Sequence, residues 1–256
     1  MSTTTRPNGS LYTKIENTIA TVEFGHPASN SFPGELLQRL ADELNTLSNT
    51  PQVNLIVLRS EGEGAFCAGA SFDELLAVTN LEQGAIFFSG FANVINAMRK
   101  CSKLIVGRIH GKAVGGGVGI AAACDYALAT VNSSVKLSEL TIGIGPFVIA
   151  PAVERKMGKA ALSEMTLAAH EWKNAYWAEK KGLYAKVFEN TPDLDKELDI
   201  FTQKLASYNP EALADMKRVL WEGTENWDTL LTDRAKISGR LVLSDFTKNA
   251  LAQFKK

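Results

Sequence analysis

Two stretches of small residues could do chemistry with the main chain rather than with side chains. The first, "EGEGAFCAGASFDE", spans residues 61–74, and the second, "HGKAVGGGVG", spans residues 110–119. Each follows an apolar run and each leads into sequence of helical pattern. Glycine is among the poorest helix formers, about 1 kcal/mol worse than alanine per position. Gly115, Gly116 and Gly117 at the start of a helix therefore need a reason. Small residues let a ligand approach the backbone, and amides at a helix N-terminus have no partner within the helix. One such amide from each loop, converging on a single oxygen, makes an oxyanion hole that stabilises negative charge developing on a carbonyl. Three glycines alone would suit a packing contact or a flexible turn as well. The pairing of two such loops, in this order, is what favours chemistry.

Other chemistries fit the chain less well. No Gly-Lys-Ser/Thr follows the glycines, as a P-loop requires, and the G-x-G-x-x-G register of a dinucleotide site is absent. Cys67, Cys101 and Cys124 have no CxxC or metal-ligand spacing. Cys67 lies in the first loop, but nothing near it would depress a thiol pKa, and it reads as a small apolar filler. The histidines are His26, His110 and His170, and no G-x-S-x-G elbow accompanies them, which argues against a Ser-His-Asp triad.

The elements that must position the two loops follow from hydrophobic pattern. Residues 11–25 read as two short strands around a turn at Glu16-Asn17-Thr18. Leu36, Leu37, Leu40, Leu44 and Leu47 mark an amphipathic helix over 34–49, with Pro33 near its start. Residues 53–60 and 103–109 are unbroken apolar runs, as strands buried on both faces would be. Helical pattern covers 82–100, and shorter strands fall at 125–130 and 185–189. Strands alternating with helices imply an α/β core. Beyond about residue 190 the pattern changes to helices alone, over 194–207, 210–222, 227–243 and 246–254. The expected organisation is an α/β core over residues 1–190 that holds the site, and a helical region over 191–256.

The chain has 256 residues, 45% hydrophobic and 21% charged, with a formal net charge of −1. That composition is globular, and the charge balance favours neither nucleic acid nor an anionic membrane. Short basic clusters such as "ERKMGK" (154–159) and the terminal "FKK" read as solvated surface. The N-terminal "MSTTTRPNGS" lacks the apolar segment of a secretory signal, and no run of about 18 apolar residues suggests a membrane span. With an odd number of cysteines, these features point to a cytoplasmic protein with reduced thiols.

The motifs "GAFCAGASFDEL", "IHGKAVGGGVGIAAACDYALA" and "LSELTIGIGPF", in that order, resemble the enoyl-CoA hydratase/isomerase, or crotonase, superfamily. The resemblance covers roughly Leu11 to Lys256. It implies an α/β spiral of strand–strand–helix turns with a C-terminal helical region, assembled as a homotrimer or hexamer. It implies a coenzyme A thioester as substrate, with no permanently bound cofactor and no metal. By the same resemblance, the oxyanion amides are those of Ala70 and Gly116. The "HPASNSF" loop, His26–Phe32, matches a segment that lines coenzyme A. The implied substrate-binding set is Ala28, Asn30, Ala68, Ala70, Ser71, Gly115, Gly116, Ser138 and Glu139. Asp125 matches a structural aspartate.

Hydratases of this family use two glutamates. In the matching register the first falls on Gly119 and the second, twenty positions later, on Glu139. The chain thus keeps one carboxylate of the pair. One glutamate and an oxyanion hole suffice to move a double bond, since the same carboxylate can take a proton from C2 and return it at C4. Apolar "LTIGIGPF" beside Glu139 would desolvate it and raise its pKa toward the working range of a proton shuttle. Hydration also needs a positioned water, which Gly119 cannot hold, so isomerisation is expected. Two alternatives stay open: a hydratase in which Ser71, Asp73 or Glu74 holds the water, and an inactive binding or scaffold protein.

Overall fold

The computed structural model describes residues 8–253. Strand β1 (Ser10–Glu16) turns back antiparallel onto β2 (Ile19–Gly25) through Asn17 and Thr18, both at positive φ. Such a two-residue turn matches the twist of the strands it joins. From β2 the sheet continues in parallel through β3 (Leu55–Ser60), β4 (Leu104–Ile109), β6 (Tyr126–Thr130) and β8 (Lys186–Phe188). Two-residue strands β5 (Ala113–Val114) and β7 (Val135–Lys136) pair in a second small layer above it. Each pass through the fold thus lays one residue run in the main sheet and a short one beside it. That is the strand–strand–helix spiral that the resemblance implies.

The unbroken apolar runs have a structural cause. Ile56, Leu58, Ile105 and Ile109 enter the main core, together with Leu36, Leu40 and Leu44 of α1 (Gly34–Ser48) and Val94, Ile95 and Met98 of α3 (Leu81–Lys100). Leu55, Val57, Leu104 and Val106 face the other way, onto Leu194 and Leu198 of α7 (Thr191–Ala206). A strand covered on both faces has no polar alternation to show. Helix α2 (Phe72–Ala77) precedes α3, and α4 (Gly116–Ala123) follows the triple glycine. Helix α5 (Ala150–Leu167) is broken at Gly158, where φ is +80°, and α6 (Ala175–Lys180) leads to β8.

The C-terminal helices α8 (Pro210–Leu220), α9 (Trp227–Leu241) and α10 (Asp245–Gln253) return to the spiral. Helices α9 and α3 meet backbone to backbone: a Cβ at Gly84 would lie 2.6 Å from the Gly239 carbonyl oxygen. Asp125 joins α8 to the sheet. Its Oδ2 accepts from the Ile105 amide and from Lys217 Nζ, and its Oδ1 from Trp221 Nε1, each at 2.7 Å.

Candidate active site

The two glycine-rich loops lie side by side. The Cys67 amide donates to the Lys112 carbonyl (3.2 Å), and the Val114 amide donates to the Cys67 carbonyl (2.9 Å). The first loop is held on its other side by the 26–32 segment, through Phe32 N to Gly69 O (2.8 Å) and Ser71 N to Phe32 O (2.9 Å). These contacts engage the Gly69 carbonyl and the Ser71 amide, on either side of Ala70. Neither the Ala70 amide nor the Gly116 amide has an acceptor among the described residues. Gly116 is the first residue of α4, where a free, outward N–H is expected, and it lies across from Gly69.

Each glycine of the triple is required by a different neighbour. Gly115 adopts φ +52°, and a Cβ there would lie 2.8 Å from Glu139 Oε1. A Cβ at Gly116 would lie 2.3 Å from the Phe91 ring, and one at Gly117 would lie 2.6 Å from the Cys67 carbonyl oxygen. The loops can approach each other and the third motif only because these positions carry no side chain.

Glu139 arrives by the same logic. The Gly115 amide donates to Lys136 O (2.9 Å), continuing the β5–β7 pairing, so residues 138–139 emerge beside the glycines. A 3-10 turn, Glu139–Ile142, then closes on left-handed Gly143, and the Ile144 amide donates to Glu139 O (3.0 Å). The Glu139 side chain has no such support. Its Oε2 is buried without a hydrogen-bond partner. Desolvation raises its pKa from the ordinary carboxylate value to about 7, only partly opposed by a hydrogen bond to its own backbone.

Between the loops and this turn lies a cavity of about 180 Å³. Ala68, Ala70, Gly115, Gly116, Ser138 and Glu139 line one end, and Phe87, Phe88 and Phe91 of α3 with Ile142, Ile144, Phe147 and Ile149 form the apolar walls. Glu139 is the one ionisable side chain among the lining residues. Six members of the expected binding set are therefore gathered here.

The other expected residues stand elsewhere. Ala28 is exposed on the 26–32 segment, next to Ser29, whose carbonyl accepts from the Ala68 amide. Asn30 braces that segment: its Nδ2 donates to Glu61 O and Ala65 O, and its Oδ1 accepts from the His26 amide, all at 2.9 Å. The Ser71 hydroxyl caps α2 by accepting from the Glu74 amide, and Glu74 Oε2 accepts from the Gly34 amide (2.8 Å). Asp73 is exposed. None of these four polar side chains, Asn30, Ser71, Asp73 and Glu74, lines the cavity. Cys67 is fully buried, and burial pushes its thiol up to about 12. Among the described residues no group of three or more His, Cys, Asp or Glu could hold a metal, and no helix is long and apolar enough to cross a membrane.

Two cavity residues escape a reading of motifs. Ile149 occupies the space that a side chain at Gly119 would need: a Cβ there would lie 2.5 Å from Ile149 Cγ2. Ser238, in the middle of α9, lines the cavity from the C-terminal region and is 1% exposed. Its position depends on the α3–α9 contact, for which the sequence carries only Gly84 and Gly239.

Comparison with known proteins agrees with this geometry. A family model described as enoyl-CoA hydratase/isomerase matches residues 14–252. The short-chain-enoyl-CoA hydratase of Clostridium acetobutylicum is 26% identical over 242 residues, covering 93% of this chain and 92% of that protein. The peroxisomal Delta(3,5)-Delta(2,4)-dienoyl-CoA isomerase of Arabidopsis thaliana is 25% identical over 197 residues, 71% of this chain and 69% of its own. The crystal structure of enoyl-CoA hydratase from Bacillus halodurans superposes with a TM-score of 0.87 at 20% identity, covering 95% of this chain and 99% of that one. At that identity the likeness speaks to the fold.

Proposed function

This chain belongs to the enoyl-CoA hydratase/isomerase family, whose members act on coenzyme A thioesters, and from that premise we propose that it shifts the double bond of an enoyl-CoA, with Glu139 as its single proton shuttle. The thioester carbonyl oxygen is held by the Ala70 and Gly116 amides. The Glu139 carboxylate removes a proton from C2 of a 3-enoyl thioester, and the electron pair of that C–H bond passes into the C1–C2 bond as the carbonyl becomes an enolate. The Glu139 carboxylic acid then returns the proton at C4. The C3–C4 double bond becomes C2–C3, and the carbonyl re-forms. Each amide is worth about 2.7–4 kcal/mol to such a transition state. A carboxylate with a pKa of about 7 suits a group that must accept and release a proton in one turnover. Coenzyme A enters as part of the substrate, with the 26–32 segment along its path.

The observation that carries this reading is the cavity's lone acid. No second ionisable group lines it, and Ile149 fills the space at Gly119. The named hydratase relative favours water addition as the second reading. Product analysis with 2-enoyl-CoA and 3-enoyl-CoA substrates separates the two. Isomerisation of the 3-enoyl thioester without 3-hydroxyacyl product is expected, and 3-hydroxyacyl-CoA as the main product would overturn it. Turnover of neither, with tight thioester binding, would mark a binding protein.

The same reading extends to assembly. Leu213 and Leu231 are buried within the chain, and Leu230 and Leu241 pack against its cores. Met216, Val219 and Leu220 stay about half exposed on α8. That apolar face supports self-association as a trimer or hexamer, and sedimentation as a 27.7 kDa monomer at micromolar concentration would exclude it.

A further inference from the structure

The acyl end of the cavity contains a hydroxyl with nothing to bond to. Ser238 is 1% exposed and lines the cavity, yet its Oγ has no hydrogen-bond partner among the described residues, including its own helix. A hydroxyl that opens onto the cavity without a protein partner is free to bond what the cavity holds, which an alanine could not do.

Helix α3 measures where Ser238 sits along the substrate. Phe91 of α3 touches the oxyanion glycine, Gly116, and Gly84 of α3 touches Gly239, the residue after Ser238. Seven residues of helix at 1.5 Å each separate the two contacts by about 10 Å. The neighbours of Ser238 along α9 agree. One turn earlier Arg234 donates to the Phe147 carbonyl, and one turn later Val242 joins Leu75 and Ile144. Ile144 and Phe147 belong to the apolar wall that continues from the Glu139 turn.

Resting on the acyl-CoA reading above, we propose that Ser238 is a specificity residue for an acyl chain bearing a neutral oxygen, a hydroxyl or keto group, several carbons beyond the thioester carbonyl. A hydroxyl can donate to or accept from either group. A distal carboxylate fits poorly, because no cation lines the cavity and its one ionisable side chain is an acid, Glu139. A plain hydrocarbon chain would leave the Ser238 hydroxyl unsatisfied after water is expelled.

The test is calorimetry on the full-length protein with saturated thioesters, which bind without turnover. Hexanoyl-CoA and octanoyl-CoA are compared with 6-hydroxyhexanoyl-CoA, 8-hydroxyoctanoyl-CoA and, as the acidic control, adipoyl-CoA. At one chain length at least, the hydroxylated thioester should bind roughly tenfold tighter than its parent, and adipoyl-CoA should bind more weakly than both six-carbon ligands. Ser238→Ala should abolish the preference, whereas Ser207→Ala, on the surface at the end of α7, should keep it. Wild-type protein that binds parent and hydroxylated thioesters equally at both lengths would overturn the inference. So would a preference that survives Ser238→Ala. Failure of every thioester, acetoacetyl-CoA included, to bind would instead overturn the acyl-CoA reading, and this inference with it.

Discussion

Glu139 and Asp125 are both acids held inside the protein, one at the cavity and one between the sheet and the C-terminal helices. Their surroundings differ in kind. The Asp125 side chain, 4% exposed, accepts three hydrogen bonds, from the Ile105 amide, the Trp221 indole and the Lys217 ammonium. Lys217 is itself 2% exposed at its side chain, and Lys156 Nζ donates to the Cys124 and Asp125 carbonyls. Every charge there has a partner. Glu139 Oε2 has none, and desolvation moves its pKa to about 7. The partners of Asp125 tie elements together, whereas Glu139, desolvated and without a partner at Oε2, gives up its charge easily. Replacing each acid should therefore damage a different property.

The largest effect is expected from Glu139→Gln, which keeps size and polarity but cannot shuttle a proton. Turnover should fall on the order of 10²–10⁴-fold. Binding of acetoacetyl-CoA should change little, because the oxyanion donors proposed above are backbone amides. Wild-type turnover in this variant, on a substrate the parent processes, would move the base to another residue. Asp125→Ala should do the opposite. It leaves Lys217 buried and unpaired, a loss of about 3–5 kcal/mol, while the cavity is untouched. Thermal unfolding should shift down by roughly 2–4 °C per kcal/mol for a chain of this size. At a temperature where the variant is folded, kcat should stay within a few-fold of wild type. A Tm equal to wild type would show that the three hydrogen bonds of Asp125 do not hold α8 in place.

The contrast between these regions also explains what is legible in the sequence. Strands β3 and β4 read correctly because burial on both faces leaves continuous apolar runs. The loops read correctly because approach of main chain to main chain leaves glycine and alanine, as at Gly116 under the Phe91 ring. Helices such as α7 begin close to where the pattern suggests: it starts at Thr191, three residues before 194, behind an Asn190 cap. Helix α5 is hidden by its break at Gly158, and α2 and α6 are only six residues each. Ser71, Asp73 and Glu74 carry the right chemistry in the right loop, but capping and the direction of α2 take them out of the cavity. Ile149 and Ser238 lie outside the three motifs and depend on contacts between distant segments. Periodicity locates elements; it does not say which of their residues meet across a cavity.

A smaller effect concerns the missing second acid. Gly119→Glu alone should destabilise by about 1–3 kcal/mol through overpacking against Ile149 and should gain no hydratase activity. Paired with Ile149→Ala, which opens the space, the same glutamate can reach the cavity, and water addition to 2-enoyl-CoA should become measurable. Hydration by Gly119→Glu alone would show that Ile149 does not block the position.

The smallest effect is in the pH dependence of stability, and it runs against intuition for a catalytic residue. Glu139 holds its proton more tightly in the folded protein, where its pKa is about 7, than in the unfolded chain, where about 4.3 is ordinary for Glu. Between those values the folded state binds more protons than the unfolded state, so stability falls as pH rises. The contribution of the protonated carboxyl is fully present below the unfolded pKa and is lost as pH rises through about 7. Glutamine resembles the protonated acid at every pH and does not pay this charge-burial penalty. Glu139→Gln should therefore match wild type in Tm near pH 4 and exceed it increasingly up to pH 8. The gain there should be on the order of 1–3 kcal/mol, since part of the residue meets the open cavity and screening reduces the full shift. Wild-type kcat, which needs the ionised carboxylate, should rise over the same interval in which this stability is lost. A Tm difference that is flat with pH, or that favours wild type at pH 8, would show that Glu139 is no more desolvated in the folded protein than an ordinary surface acid, and the contrast with Asp125 would collapse.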